Sequence, residues 1–364
     1  MSNLILDSLE IRNFRGLKEL RIEKLGRVNL IVGKNNVGKT SVLEALRLYA
    51  NPGHYETLIE LLQVRDLLEV QTVQEESIRR LLPYTELFYS ENRSVWLEND
   101  LQIKIGNHGL ESSTLTVSFP SNEEVVASGL YEYGYYLKCE YDGEKFACPL
   151  WEMGTSQLNA FYQFAIHRGF KLPSKRFEIA RIDAGGLPPD LDGVYWDRIA
   201  LTEREDYVIF GLRLISSSVD RLILKPVNER AKKRVPFVKL SGQTSPVSLK
   251  SLGDGMSRVF GIVLSLVNAQ GGFCLIDEYE NGLHYSVQSA IWQLVFNLAS
   301  RLNIQVFATT HSYDCIRAFQ EAAKESAEEG ILIGLVQKKG RLFVGEYDEE
   351  ELGVAVEAQI EVRG

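Results

Sequence analysis

The 364-residue chain reads as an α/β protein: a mixed sheet flanked by helices, with a smaller α/β unit inserted into it. Three stretches carry that reading. Val28-Asn29-Leu30-Ile31-Val32 is a short, β-branched apolar run that leads through a Gly-rich turn into the helical pattern Thr40-Ser41-Val42-Leu43-Glu44-Ala45-Leu46. Phe273-Cys274-Leu275-Ile276 is a second apolar run, ending in the carboxylates Asp277 and Glu278, and Ile304 to Thr310 is a third, ending in His311.

The turn after the first run is the most specific feature. Gly33-Lys34-Asn35-Asn36-Val37-Gly38-Lys39-Thr40 meets the phosphate-binding pattern G-x-x-x-x-G-K-[ST] at every required position, in the strand–turn–helix context the pattern needs. Glycines let the backbone curl until successive N–H groups converge on phosphate oxygens, and the helix N-terminus adds free donors and a positive dipole end. Lys39 is placed to reach the β- and γ-phosphates and the Thr40 hydroxyl to ligate Mg²⁺.

Composition is that of an ordinary globular protein: 45% hydrophobic, 24% charged, 10 prolines and 29 glycines. No run of eighteen apolar residues and no basic, then apolar, N-terminal leader is present, so a soluble cytoplasmic protein without a membrane partner is expected. Cys139, Cys148, Cys274 and Cys315 show no zinc-like spacing and read as reduced, buried thiols. A net charge of −9 rules out an all-over electrostatic grip on DNA and leaves only local basic patches, the densest running from Lys225 to Arg234. That stretch reads first as a solvated loop.

Along the chain, strands are expected over residues 4–11 and 17–22 around the turn Arg12-Asn13-Phe14-Arg15-Gly16. Asn51-Pro52-Gly53 stops the helix after the Gly-rich turn, and helices follow over residues 55–69 and 74–82. Gln63, Gln71 and Gln74 all fall in this region. From 94 to 150 short alternating segments predict an antiparallel sheet, on which Tyr131, Tyr133, Tyr135 and Tyr136 cluster, open to stacking on bases or on one another. Thr202 and Glu205 form a T-x-x-E capping box for a helix over 203–216, with Tyr207, Phe210, Leu214 and Ile215 on one face. Strands are expected near 177–182 and 221–224, and no heptad repeat persists before residue 250.

The second half supplies the complement. Asp277 and Glu278 have the form of a Walker B motif, with Asp277 toward Mg²⁺ and Glu278 as general base for the attacking water. Upstream, Gly253-Asp254-Gly255 opens an apolar helix, again a Gly-rich turn at a positive dipole end. Ser312 caps the helix after His311.

The order of N-F-R-G turn, Gly33–Thr40, Gly253-Asp254-Gly255, Asp277-Glu278-Tyr279-Glu280-Asn281-Gly282-Leu283-His284 and Thr309-Thr310-His311-Ser312 resembles the OLD-like branch of the ABC-type AAA ATPases, with RecF and SMC proteins alongside. The likeness covers residues 1–50 and 245–320 closely and the middle in outline. It implies a P-loop, ABC-type ATPase head in which residues 1–84 and 241–364 form the N- and C-terminal lobes and residues 85–240 an inserted, protruding subdomain. It implies ATP and Mg²⁺ as cofactors, with Gly33, Lys34, Asn35, Asn36, Val37, Gly38, Lys39, Thr40 and Ser41 around the nucleotide and Thr40 and Asp277 on the metal. Lys39, Glu278 and His311, the last as switch histidine, would carry catalysis. Gly253, Asp254 and Gly255 would face the γ-phosphate of a second subunit, although Gly253 stands where the family often has serine, leaving Ser251 or Ser257 to supply the hydroxyl or backbone N–H groups to suffice.

The expected output is a head-to-tail, ATP-bound dimer that gates a partner or nucleic acid in phage defence or genome maintenance. Only 53 residues follow His311, without a D-x-D pair, so the effector, such as a nuclease, is expected to be a separate protein. Two rivals stand beside this: a RecF-like clamp on DNA through Arg230–Arg234 or the Tyr131–Tyr136 strand, and a small-molecule P-loop kinase, which has no use for Gly253–Gly255 or His311.

Overall fold

The computed structural model describes residues 4–63, 84–89, 102–121, 124, 129, 136–188, 191–226, 234–348 and 351. A six-stranded sheet forms the centre, in the order β15 (Arg341–Tyr347), β14 (Gly330–Lys338), β3 (Val28–Gly33), β13 (Gln305–Thr310), β12 (Phe273–Ile276) and β8 (Ile179–Ile182). The five strands from β14 to β8 run parallel and only β15 is antiparallel. Parallel strands are covered on both faces, which is why β12 is wholly apolar, β3 is apolar apart from Asn29, and all three of β3, β12 and β13 are buried throughout, the polar Gln305, Thr309 and Thr310 of β13 included. Side chains alternate between two cores: Cys274, Ile276, Val306 and Ala308 enter one, and Phe273, Leu275 and Phe307 the other.

The second core is closed by α1 (Lys39–Ala50) and by an antiparallel sheet in the order β2 (Leu17–Ile22), β1 (Leu9–Phe14), β4 (Gln102–Gly106), β5 (Thr114–Ser118), β6 (Tyr136–Tyr141), β7 (Glu144–Pro149). On the opposite face lie α6 (Asp254–Asn268), α7 (Tyr285–Arg301) and α8 (Tyr313–Glu325), and a three-stranded sheet ordered β11 (Val247–Ser248), β10 (Arg234–Leu240), β9 (Val219–Pro226) contributes to the same core. Among the described residues, no helix is long and apolar enough to cross a membrane.

Within the stretch expected to form the inserted subdomain, residues 85–240, two described strands pair with strands of the head. Strand β4 pairs with β1, extending the N-terminal hairpin, and β8 pairs with β12 as an edge of the central sheet. Helices α3 (Thr155–His167) and α4 (Leu191–Ile199) precede α5 (Glu203–Arg213), which starts at Thr202 as expected, but Phe210 is 52% exposed and the buried line is Val208, Gly211 and Leu212. A Cβ on Gly211 would come 2.7 Å from Val263, so the helix approaches α6 on its glycine side. Tyr136 is buried and meets Phe170 edge-on, so it packs rather than offering a face to a base. Tyr131, Tyr133, Tyr135, Gln71, Gln74, Arg230, Lys232 and Lys233 lie outside the described residues. Gln63 ends α2 (Tyr55–Gln63).

The N-F-R-G turn joins β1 to β2, and its second cation points inward. Arg15, at φ 50°, places its guanidinium 2.6 Å from the Glu44 carboxylate of α1 and donates to the Leu61 carbonyl of α2 at 2.9 Å. Its backbone N–H donates to Leu87 O at 2.8 Å.

Candidate active site

The Gly33–Thr40 loop sits at the C-terminal end of β3, capped below by the first turn of α1. Its two glycines answer to different needs. Gly38, at φ 110°, takes a backbone that side-chain-bearing residues avoid, and a Cβ there would lie 2.7 Å from Leu17. A Cβ on Gly33 would come 2.5 Å from the Leu335 carbonyl of β14, so close strand approach requires glycine there too. Asn36 holds φ 65°, a left-handed turn that an amide side chain tolerates.

Within this loop Lys39 Nζ donates to Gly33 O at 2.7 Å and Lys34 O at 3.1 Å. Desolvation lowers its pKa, opposed by the nearby charges of Asp277, Glu278 and Glu280. The next residue links the two halves of the chain: Thr40 Oγ1 donates to the Asp277 carboxylate at 3.2 Å, across 237 residues of sequence.

Strand β12 delivers Asp277 and Glu278, and a set of side chains holds them in place. Thr309, the fifth residue of β13, donates through its hydroxyl to Asp277 Oδ1 at 2.6 Å and accepts the Glu278 N–H at 2.8 Å. Glu278 adopts φ 47°, a strained value for a side-chain-bearing residue. Arg258 of α6 secures that turn. Only 4% exposed, it donates to the carbonyls of Asp277 and Glu278 at 2.6 Å each, Asp183 at 2.8 Å and Tyr279 at 3.5 Å. Burial lowers the Arg258 pKa, while Glu280, Tyr279, Asp277 and Glu278 act in the opposite direction.

The loop after Glu278 reaches both candidate catalytic side chains. Asn281 Nδ2 donates to Glu278 Oε2 at 2.6 Å and to Ala184 O at 3.1 Å. Glu280 Oε1 accepts the His311 N–H at 3.0 Å and lies 3.1 Å from His311 Nδ1. Tyr279 between them is fully buried and stacks on Trp292 with centroids 3.8 Å apart. The whole loop is thus braced from α7, and His284 caps that helix by accepting from Ser286 N.

The turn Gly253-Asp254-Gly255 is placed differently. Gly253 at φ 106° opens α6, and Gly253 and Asp254 are exposed. A Cβ on Gly255 would lie 3.0 Å from Gly282 O, so this helix end packs on the loop after Glu278. Among the described residues, no hydrogen bond or ion pair joins the turn to Gly33–Thr40. Ser251 donates to Ser248 O at 2.6 Å, turning its hydroxyl into its own segment.

Sequence reasoning named Lys39, Thr40, Asp277, Glu278 and His311, and the fold gathers them around the ends of β3, β12 and β13. It missed Arg258, Thr309 and Asn281. Thr309 and Asn281 lay inside motifs already singled out. Arg258, a lone cation opening an apolar helix, was the visible anomaly.

The residues suit Mg²⁺. A hydroxyl and a carboxylate in contact are hard oxygen donors, and among the described residues no three acids, histidines or cysteines are placed to hold a metal ion by themselves. Mg²⁺ takes one or two protein ligands and completes its shell with phosphates and water.

This fold and this order of motifs define an ABC-type AAA ATPase of the RecF/SMC-like kind, an enzyme that hydrolyses ATP. The AAA ATPase domain family matches residues 5–176, and an AAA domain family described with the AbiEii toxin of type IV toxin–antitoxin systems matches residues 173–314. The chain is 23% identical over 351 residues to an ATP/GTP phosphatase of Helicobacter pylori, covering 88% of this chain and 89% of that protein. It is 29% identical over 134 residues to the DNA replication and repair protein RecF of Rickettsia felis, covering 35% of this chain and 36% of that one. In fold it resembles an SMC head bound to the C-terminal winged-helix domain of ScpA, with TM-score 0.52 and 11% identity over 94% of this chain and 97% of that one.

Proposed function

We propose that two copies of this ATPase close head to tail around two ATP molecules, and that hydrolysis reopens them. The observation that carries this is the Gly253-Asp254-Gly255 turn, exposed at Gly253 and Asp254: it opens a helix whose N-terminus has no side-chain cap and is unconnected to its own phosphate loop among the described residues. A second copy would bring that turn to the γ-phosphate held by Lys39.

In the closed state Lys39 sets its charge against the β- and γ-phosphates and the loop N–H groups of residues 33–41 hold the rest. Thr40 and Asp277 would hold Mg²⁺, which when bound supplies positive charge to the phosphate oxygens. Glu278 takes a proton from water as the water oxygen bonds to the γ-phosphorus. The bond from that phosphorus to the bridging oxygen breaks, and its electron pair leaves with ADP. His311, held by Glu280, would contact the γ-phosphate as switch histidine. Opening and closing then gate a separately encoded effector or nucleic acid, in phage defence or genome maintenance. The AbiEii-type family match supports the first setting. The RecF relatives support a second reading, in which the dimer clamps DNA directly.

The test is size-exclusion chromatography with light scattering on Glu278→Gln, with and without ATP. A shift from one to two copies that Lys39→Ala abolishes is expected. A chain that stays single at every ATP concentration overturns the dimer.

A further inference from the structure

The outward face of the three-stranded sheet β11–β10–β9 is not used by the ATPase chemistry. Its inward side chains, Leu222, Leu224, Val238 and Leu240, belong to the core. By strand alternation Arg221, Ile223 and Lys225 of β9 point the other way, and pairing sets Lys239 opposite Arg221, Phe237 opposite Ile223 and Val235 opposite Lys225. Ser248 of β11 lies on the far side of Phe237.

The charge on this face is one-sided. Arg221, Lys225 and Lys239 are exposed, and none makes an ion pair with another described residue. Two cations directly opposite one another on neighbouring strands repel, so Arg221 and Lys239 work against the sheet that carries them. Residues 221–240 hold seven cations and one acid in a chain whose net charge is −9. Between the cations sits an apolar centre. Ile223 is 51% exposed, and Lys225 Nζ lies 5.0 Å from the centroid of the Phe237 ring.

We propose that this face binds single-stranded nucleic acid, with phosphates at Arg221, Lys225 and Lys239 and a base over Ile223 and Phe237. Four residues of strand separate Arg221 from Lys225, about 13 Å, long enough to span neighbouring nucleotides of an extended strand. An aromatic among cations is the arrangement that holds single strands without sequence preference. A duplex keeps its bases stacked inside and would leave the apolar centre uncovered. The site also borders the ATPase machinery, because β11 runs through the turn Leu249–Leu252 directly into Gly253. The proposal rests on the nucleic-acid branch of the reading above and stands whether or not the chain dimerises.

The experiment is fluorescence anisotropy of a labelled 30-nucleotide oligo-dT on the full chain, without nucleotide, over 50–300 mM salt. Each phosphate contact in a single strand contributes about −0.7 to the slope of log K against log salt. Replacing Arg221, Lys225 and Lys239 by serine is therefore expected to flatten the slope by about 2 and weaken binding about 100-fold at 0.1 M salt. Ile223→Ser and Phe237→Leu should weaken it about tenfold with the slope unchanged. Replacing Lys338, Lys339 and Arg341, an equal loss of charge on another hairpin, should leave binding near wild type. Circular dichroism and basal ATPase activity confirm that each variant is folded.

Equal loss in both triple variants, or no loss in the first, overturns the assignment of the face. Tighter binding of a 30-base-pair duplex overturns the single-strand assignment. Displacement of oligo-dT by polyglutamate at equal charge identifies an acidic protein as the occupant instead. Failure of the ATP-dependent dimer with binding intact leaves this face assigned and removes only the head-to-tail reading.

Discussion

Replacing Arg258 by lysine tests whether helix α6 holds the turn that carries Asp277 and Glu278. Arginine spreads its donors over four carbonyls, three of them on Asp277, Glu278 and Tyr279. A lysine ammonium keeps the charge but cannot reproduce the fork, and at least two of those bonds are lost. At about 1.5–3 kcal/mol per hydrogen bond to a charged group, the cost is about 3–6 kcal/mol. An unfolding entropy of about 2.1 cal/mol/K per residue gives roughly 0.8 kcal/mol/K for this chain, so Tm should fall by about 4–8 °C. The catalytic consequence is separate. With its carbonyl released, Glu278 relaxes from φ 47° and its carboxylate moves, and a displacement near 1 Å costs about 100-fold in rate. Phosphate release should therefore show kcat down about 100-fold, with the Kd for a fluorescent ATP analogue unchanged. If Tm falls as stated while kcat stays within threefold of wild type, Arg258 supports only the fold and the reasoning fails.

Asn281→Asp sets a carboxylate where an amide now donates to Glu278, and should cut kcat by about 10- to 100-fold at nearly constant KM, read from steady-state phosphate release. Thr40→Ala should raise the Mg²⁺ needed for half-maximal rate by about tenfold or more, and excess chelator should abolish turnover. Burial raises the pKa of all four thiols, Cys139 to about 12, Cys148 well above its usual value, and Cys274 and Cys315 likewise upward. A folded-state pKa above the unfolded value near 8.5 leaves stability intact below that pH and erodes it as pH rises toward the folded value. Four such thiols should together remove about 5 kcal/mol between pH 9 and 10, measured by urea denaturation, and none should react with a thiol reagent before unfolding. Arg15→Met leaves Glu44 without its buried partner and should cost about 3–5 kcal/mol by the same denaturation assay.

Much of the head was legible because its strands are buried on both faces. Val28–Val32, Phe273–Ile276 and Ile304–Thr310 could be little else, and the spacing around Gly33–Thr40 fixed what followed the first of them. Pairing between distant strands was not legible. Nothing local in Gln102–Gly106 announces that it continues the hairpin of β1 and β2, and Ile179–Ile182 gives no hint that it flanks Phe273–Ile276. Side-chain apolarity misled at Phe210, where the packing surface is set by Gly211 and its closeness to α6. Arg258 escaped for a different reason: its partners are backbone carbonyls, which leave no trace in residue identity, and they converge only after β8 and β12 lie side by side.

The inward-turned cation of the N-F-R-G motif has a mechanical consequence. Arg15 grips the helix that follows the phosphate loop, and it reaches two chain positions on either side of residues 64–83 by one side-chain and one main-chain bond. Displacing that helix would therefore pull on Leu61 and Leu87 together, as two handles on one cord. The first motif of the sequence thus ties the helix behind the phosphate loop to two further segments of the head through a single residue.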